Sequence, residues 1–196
     1  MHPSTTTLLI CASALSVGWW LPQLLRTLRH GAAGVSAYTW TISTANLVLW
    51  GSWALLANQP AVVAVEWTQA AGSFAVLCVV GLTKRTAGVG LVVGTLVGVS
   101  HTFVALASLA AVGSVLLVRL PQLWRLHVRP SALHQVSATT WGISALANLL
   151  WVGWGISGHH PTMIIGAGIA AGTSLAIAVR ARTLSARLDD PVLIPA

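Results

Sequence analysis

The sequence predicts an all-α membrane protein of seven helices, in which a linker helix joins two tandem three-helix repeats. Three observations predict this fold: an apolar composition, a set of long apolar stretches, and a phrase that occurs twice. Mean hydropathy is +0.81, and 56% of the 196 residues are hydrophobic while 7% are charged. A soluble domain carries about 25% charged residues. A chain of this composition cannot cover its surface in water, and we expect it to lie in a lipid bilayer.

Seven apolar stretches are long enough to cross a bilayer, since a spanning helix needs about 20 mostly apolar residues. Short segments rich in Pro, Gly, Asn or Ser separate them. The predicted helices cover residues 5–27, 37–57, 61–82, 87–103, 105–126, 137–157 and 161–181. Seven crossings put the two ends of the chain on opposite sides of the membrane.

The basic residues gather on one side of this layout. All ten Lys and Arg residues lie near the ends of predicted helices one, three, five and seven, whereas the N-terminus and the turns near residues 59, 102 and 159 carry none. Cytoplasmic segments of membrane proteins are enriched in Lys and Arg, so we expect a multi-pass plasma-membrane protein with its N-terminus outside and its C-terminus in the cytoplasm. The formal net charge of +7 then reflects topology, and nucleic acid is not an expected partner.

The repeated phrase is Leu21-Pro22-Gln23-Leu24-Leu25-Arg26, which returns 99 residues later as Leu120-Pro121-Gln122-Leu123-Trp124-Arg125. Other residues recur at an offset of 101, so that Trp40, Ile42-Ser43, Trp50, Trp53 and Pro60 match Trp141, Ile143-Ser144, Trp151, Trp154 and Pro161. Two parallel three-helix copies need one extra crossing between them. The predicted units are a first repeat (1–84), a linker helix (85–104), a second repeat (105–182) and a disordered cytoplasmic tail (183–196).

These motifs resemble those of the PQ-loop group of membrane proteins, and within it the SWEET and SemiSWEET sugar transporters. The resemblance rests on Leu-Pro-Gln-x-x-Arg ending the first helix, a following Val-Ser, a Leu-Trp in the second helix and a Pro opening the third, each present twice in register. It implies a solute site near the bilayer midplane between two three-helix bundles. The bundles rock around the site so that it faces each side in turn.

Both motif prolines lie inside predicted helices. A proline removes a backbone donor and clashes with the preceding turn, so helices one and five are expected to kink or hinge there. The predicted hinge residues are Pro22, Gln23, Pro121 and Gln122. A static kink that only shapes packing is the alternative.

Two pairs of side chains are candidates for the solute site. Asn46 lies four residues before Trp50, and Asn148 lies three residues before Trp151, so each amide shares a helix face with an indole. An indole can stack on a sugar ring while an amide bonds its hydroxyl groups, and the resemblance implies that such a Trp lines the sugar site. The alternative is that the amides bond a neighbouring helix and the Trp residues lie in interfacial belts.

Glu66 is the only carboxylate within a predicted helix. Six residues past Pro60, it is expected about 9 Å below the outer boundary, and Gln69 follows on the same face. A buried carboxyl group in a transporter can carry a proton or pair with an amine. The alternative is that Glu66 reaches the outer interface or caps a neighbouring group. Neither repeat has the Asn that sugar-transporting members of the group place near this position in the third helix.

Arg119 is the second unusual charge, two residues before Pro121, where the first repeat has Trp20. The preferred interpretation is that its side chain extends to the cytoplasmic headgroups. An inner gate or a contact to an anionic substrate is the alternative. Because the repeats differ most at Glu66 and Arg119, we expect an asymmetric site.

The predicted function is transport of a small polar solute, with a sugar ranked first. Second is an amino acid moved together with a proton through Glu66, and third is ligand binding without transport, since one fold serves several functions. An enzyme is not expected, because the sequence has no acid pair, no nucleophile with its base and no phosphate-cradling glycine loop. No cofactor is expected. His101, His159 and His160 share the outer side and could bind a metal ion, but loop histidines are usually only solvated, so no metal is expected either. Homo-oligomerisation stays open.

Overall fold

The computed structural model of the protein describes residues 3–30, 37–81, 104–128 and 138–188. In these ranges every regular element is an α-helix, which confirms the predicted all-α class. The helices are α1 (Pro3–Gly18), α2 (Leu21–His30), α3 (Ala37–Leu56), α4 (Pro60–Val80), α5 (Val104–Val128), α6 (Ala138–Ser157) and α7 (Pro161–Leu188). The predicted linker helix, 87–103, lies outside the described residues, and the predicted start of the tail at residue 183 falls inside α7.

Three stretches of the described chain are long and apolar enough to cross a membrane, namely Thr5–Arg29, Pro60–Val80 and Pro161–Thr183. Ala105–Leu120 is a shorter apolar helix. The helices α3 and α6 reach spanning length with 20 residues each, but their indole, amide and hydroxyl side chains lower their hydropathy. The apolar helices indicate a membrane protein.

The first motif proline follows a break in the helix, whereas the second lies in a continuous helix. The helix α1 ends at Gly18 and α2 starts at Leu21, while α5 runs through Pro121 without interruption. The residue four before a proline cannot receive a backbone hydrogen bond from it, and this residue is Gly18 for Pro22 and Leu117 for Pro121. Glycine is a weaker helix former than leucine by about 1 kcal/mol. We attribute the break in the first repeat to this difference.

The turns that precede the third helix of each repeat have the same backbone. Asn58 and His159 have positive φ angles of 54° and 55°. In each turn an N–H bonds the carbonyl five residues earlier at 2.8 Å, Gln59 to Ala54 and His160 to Gly155. A left-handed residue with this bond is the Schellman arrangement. Pro60 and Pro161 then open the next helix, where a missing N–H costs no helical bond.

The helices α4 and α7 bury the same face. Positions that are equivalent when counted from the opening prolines are buried in both helices. The buried pairs are Val62/Met163, Val65/Gly166, Glu66/Ala167, Gln69/Ala170, Ala70/Ala171, Ser73/Ser174 and Val76/Ile177. The repeat in the sequence is therefore also a repeat in three dimensions, with different side chains at matching positions.

The described helices close into a ring, with α2 continuing from α1. Within the first repeat α4 packs on both α1 and α3, and within the second α7 packs on both α5 and α6. Between the repeats, α1 packs on α6 and α3 packs on α5. The first helix of each repeat thus contacts the second helix of the other, as a pseudo-two-fold axis requires. The ring order is α1, α4, α3, α5, α7, α6 and back to α1.

The ring has two unlike ends, named here the turn end, where Pro60 and Pro161 open their helices, and the motif end, with Pro22 and Pro121. Toward the turn end one apolar core joins both repeats, with Ala12, Trp50, Trp53, Val62, Val65, Ala107, Ala111, Trp151, Trp154 and Met163 among its members. At the motif end the described residues form a separate core in each repeat. These cores contain Trp40, Val76, Leu77, Trp19 and Trp20 in the first, and Ile177, Ala181, Leu123 and Trp141 in the second.

Candidate functional site

Four tryptophans lie where the two repeats meet in the shared core. Trp50 and Trp53 of α3 pack edge to face with ring centres 5.5 Å apart, and Trp151 and Trp154 of α6 do so at 5.6 Å. All four are at most 6% exposed. The Trp50 ring lies against Gly166 of α7, where a side chain would overlap it. The two predicted solute-stacking residues, Trp50 and Trp151, are therefore buried between the repeats.

Asn46 forms a hydrogen bond across one contact between the repeats. Its Oδ1 accepts from the hydroxyl of Ser114 on α5 at 2.7 Å. Both side chains are buried, and Ser114 Oγ also lies 2.7 Å from the Ala111 carbonyl of its own helix. Asn46 thus bonds a neighbouring helix, which was the alternative to a place in the solute site.

Trp151 forms a bond across the other contact between the repeats. Its Nε1 donates to Ser16 Oγ on α1 at 2.9 Å, and both groups are buried. Asn148, three residues earlier, is half-buried and donates from Nδ2 to the Ser144 carbonyl of its own helix at 2.7 Å. Each of the two contacts, α3 on α5 and α1 on α6, therefore has one buried polar bridge.

Glu66 and Gln69 lie together on the buried face of α4. Gln69 Oε1 accepts from Trp19 Nε1 at 2.8 Å, and Trp19 stacks on Trp40 with ring centres 5.5 Å apart, so Gln69 fixes the turn between α1 and α2. Glu66 lies beside Gly51 of α3. Its Oε2 is buried and has no hydrogen-bond partner among the described residues. An unpaired buried oxygen is costly, which makes this carboxyl group a candidate proton-binding group.

Arg119 belongs to a polar cluster formed by the three helices of the second repeat. Its Nε donates to Ser174 Oγ of α7 at 3.2 Å, and its Nη2 lies 3.5 Å from Ser144 Oγ of α6. The two serine hydroxyls are 3.2 Å apart, and the guanidinium carbon lies 6.0 Å from the ring centre of Trp141. The side chain turns into the bundle, so the preferred sequence-based interpretation, an extension to the headgroups, does not describe it.

A cleft of about 200 Å³ lies at the motif end, between the break in the first helix and the start of α6. Its lining is mostly apolar and consists of Ala14, Leu15, Gly18, Trp19, Pro22, Thr140 and Ile143. Of the predicted hinge residues, Pro22 lines this cleft and Gln23 donates to Thr27 Oγ1 at 3.2 Å. Pro121 and Gln122 lie within the continuous α5.

Sequence reasoning missed Ser16, Ser114 and Ser174 as partners of the site residues. A single serine in an apolar helix has no pattern that distinguishes a bridge between helices from a bond to its own backbone. Ser174 did carry a signal, because it lies 101 residues after Ser73 at an equally buried position.

Comparison of the chain with protein-family models, with curated proteins and with solved structures finds no match.

Proposed function

We propose that the protein is a membrane transporter for a small polar solute, which passes between the two repeats by alternating access. The observation that carries this proposal is the difference between the two ends of the ring. Among the described residues, one apolar core joins both repeats toward the turn end, whereas at the motif end each repeat has its own core and a cleft lies between α1 and α6. A two-bundle transporter needs such a state, closed at one end and divided at the other.

The proposal includes the complete seven-helix arrangement of three, one and three, with the turn end outside and the motif end in the cytoplasm. The state described above is then inward-facing. The basic residues support this orientation, because Arg26 and Arg29 on α2 and Arg180 and Arg182 on α7 all lie toward the motif end.

Rocking requires the two polar bridges between the repeats to break and re-form. A hydrogen bond contributes about 1 kcal/mol net, so the bridges between Asn46 and Ser114 and between Trp151 and Ser16 hold the closed state without making it permanent. The break after Gly18 allows α2 to change direction relative to α1 when these bridges break and re-form. The predicted hinge would thus act at the first motif and not at the second.

A sugar is the first candidate for the solute. When the shared core opens, Trp50 and Trp151 become available for stacking on a sugar ring, and the Asn46 amide becomes available for its hydroxyl groups. In the closed state Asn46 bonds Ser114 and Trp151 bonds Ser16, so the closed end needs no solute to fill it.

Uptake of labelled glucose and sucrose into proteoliposomes, combined with a cross-link between the repeats, tests this proposal. A side chain added at Gly153 of α6 would meet the Leu8 side chain of α1, across a contact between the repeats. With Cys11→Ala and Cys78→Ala as background, Leu8→Cys and Gly153→Cys are joined by a short bifunctional thiol reagent. We expect uptake to fall at least tenfold and to return when the link is cleaved. The control joins Ser108→Cys to Thr162→Cys, whose hydroxyls are 3.1 Å apart within the second repeat, and should leave uptake unchanged.

Saturable sugar binding without uptake by any variant would contradict transport and favour a receptor. Uptake that persists through the link between the repeats would contradict rocking.

The second candidate is transport of an amino acid together with a proton, and it is favoured by the unpartnered Glu66 Oε2. In this case Glu66 carries the proton and does not clamp the solute together with Arg119. Glu66 lies about 9 Å into α4, whereas the Arg119 partner Ser174 lies about 20 Å into α7, at 1.5 Å per residue. The amino and carboxyl groups of one α-amino acid are too close together to span the difference of about 11 Å.

Glu66→Gln separates the two candidates, with Glu66→Asp as the control that keeps a carboxyl group. If a proton is coupled, an inward proton gradient drives amino-acid uptake in the parent protein and in Glu66→Asp, but not in Glu66→Gln. Sugar uptake that depends neither on the proton gradient nor on the Glu66→Gln change would contradict proton-coupled amino-acid transport.

A further inference from the structure

We propose that the cluster of Arg119, Ser144 and Ser174 is a binding site for an oxyanion, that is, a carboxylate or a phosphate group. The inference concerns binding alone, so it stands or falls independently of whether the protein transports a solute.

Within the described ranges, the Arg119 guanidinium has no acidic side chain to pair with. The chain has three acidic residues, and Glu66, the one among the described residues, lies about 11 Å nearer the turn end by the helix rise. A charge within an apolar helix bundle normally pairs with another group or marks the path of a ligand.

The cluster also has more donors than acceptors. Arg119 uses Nε on Ser174 and directs Nη2 at Ser144, which leaves most of the guanidinium N–H groups without an acceptor among the described residues. Ser144 and Ser174 face each other at 3.2 Å, so one hydroxyl proton is used between them and the other is available. An excess of N–H and O–H donors around a fixed positive charge is the chemistry that binds an oxyanion.

Contacts on several sides orient the guanidinium, and a ligand can still reach it. Trp141 lies 6.0 Å from it on the ring face, and the two serines hold it from α6 and α7. Arg119 is only partly buried. Arg119 also lies toward the motif end, where the described residues of each repeat form a separate core. An anion can therefore approach it without opening the shared core.

The first repeat shows that the fold does not need a charge at this level. The positions equivalent to Arg119, Ser144 and Ser174 hold Trp20, Ser43 and Ser73, and the Trp20 ring lies directly against Gly72. The first repeat therefore fills this position with the indole of Trp20. The second repeat has the cation of Arg119, which the packing does not require.

Binding measured on the purified protein in nanodiscs tests the site. In phosphatidylcholine nanodiscs, sodium phosphate or sodium acetate is titrated against sodium chloride of equal ionic strength, with thermal unfolding and calorimetry as readouts. A second set of nanodiscs adds phosphatidylglycerol. We expect the oxyanions or the anionic lipid to raise the unfolding temperature of the parent protein, and Arg119→Gln to weaken the binding at least tenfold. Arg180→Gln, an exposed arginine of α7, is the matched control and should bind as the parent does.

The two nanodisc sets identify the source of the anion. A response to the free anions in phosphatidylcholine assigns the site to a soluble ligand, and a response only to phosphatidylglycerol assigns it to a lipid phosphate. If Arg119→Gln does not fold, Ser144→Ala combined with Ser174→Ala should weaken binding at least threefold. The proposal is overturned if neither source exceeds chloride, or if the folded variants respond as the parent does.

Discussion

The two repeats share a backbone and differ in the chemistry of their buried positions. The turns before α4 and α7 have matching φ angles and hydrogen bonds, and both helices bury the same face. At one level of the bundle, however, the first repeat packs Trp20 against Gly72, whereas the second holds Arg119 between two serines. At another level, Glu66 in the first repeat corresponds to Ala167 in the second.

This difference shows which residues set the fold and which are free to specialise. The opening prolines, the left-handed turn residues and the tryptophans of the shared core recur in both copies. Glu66 and Arg119 do not recur, since the first repeat has the carboxyl group of Glu66 where the second has Ala167, and the second has the guanidinium of Arg119 where the first has Trp20. A pseudo-symmetric ring can therefore carry two unlike sites, one in each half.

The largest effect is expected when a residue of the second repeat is placed in the first. Gly72 corresponds to Thr173, and the Trp20 ring occupies the space beside it. Gly72→Thr should lower the free energy of unfolding by about 1–3 kcal/mol, the usual cost of overpacking a core, as measured by denaturant titration in detergent. On a Trp20→Ala background the same change should cost far less.

Gly172→Thr is the matched control for this swap, because nothing lies within 4 Å of a side chain added at Gly172. Its effect should be about 0.5 kcal/mol or less. Equal losses for the two variants would mean that the Trp20 contact does not distinguish the repeats.

The two bridges between the repeats should show intermediate and similar effects. Double-mutant cycles of Ser16→Ala with Trp151→Phe and of Asn46→Ala with Ser114→Ala should each give a coupling energy of about 0.6–1.5 kcal/mol. Agreement between the two cycles would extend the pseudo-symmetry from geometry to energy. A coupling near zero at either bridge would show that this contact is not held by its hydrogen bond.

The break in the first helix should respond to a change at one residue. A side chain added at Gly18 meets nothing within 4 Å, so Gly18→Ala should stabilise the helix by about 0.5–1 kcal/mol. If the break acts as a hinge, sugar uptake should fall although thermal stability rises. Leu117→Gly, the reciprocal change in the continuous α5, should lower stability. Combined with Gly18→Ala, it should not restore uptake. Unchanged uptake by Gly18→Ala would identify the break as a static kink.

The smallest effect is expected from pH at the second turn. His160 stacks on Trp154 with ring centres 4.8 Å apart, and burial, followed by the charge of His159, lowers the pKa of His160. A lowered pKa means that the folded state binds the proton less tightly than the unfolded state does. Stability should therefore decline as pH falls below the ordinary histidine pKa of about 6.5.

His160→Gln introduces the residue that the first repeat has at this position, Gln59, and removes this titration. Unfolding temperatures of the parent and the variant, compared between pH 8 and pH 5, should differ more at pH 5. Parallel pH profiles would show that the His160 environment does not contribute to the stability of the turn.

Much of the helical layout could be predicted from the sequence, because local signals determine it. Asn58, a residue that tolerates positive φ, indicates the turn before Pro60. The match at an offset of 101 residues predicts the same turn in the second repeat. The two motif prolines predicted a kink in both helices. They could not predict that only the first helix breaks, because this depends on the residue four positions before each proline, Gly18 or Leu117. The direction of Arg119 was not predictable, because it depends on serines of two other helices.

The ring closes through contacts that lie far apart along the chain. The bond between Asn46 and Ser114 spans 68 residues, and the bond between Ser16 and Trp151 spans 135. Closing a longer loop costs more chain entropy, and α6 is synthesised long after α1. In the arrangement proposed above, Ser16 of α1 therefore lacks its partner on α6 until the second repeat has been inserted. Biogenesis in the cell should accordingly be sensitive to Ser16 even where the finished protein tolerates its loss.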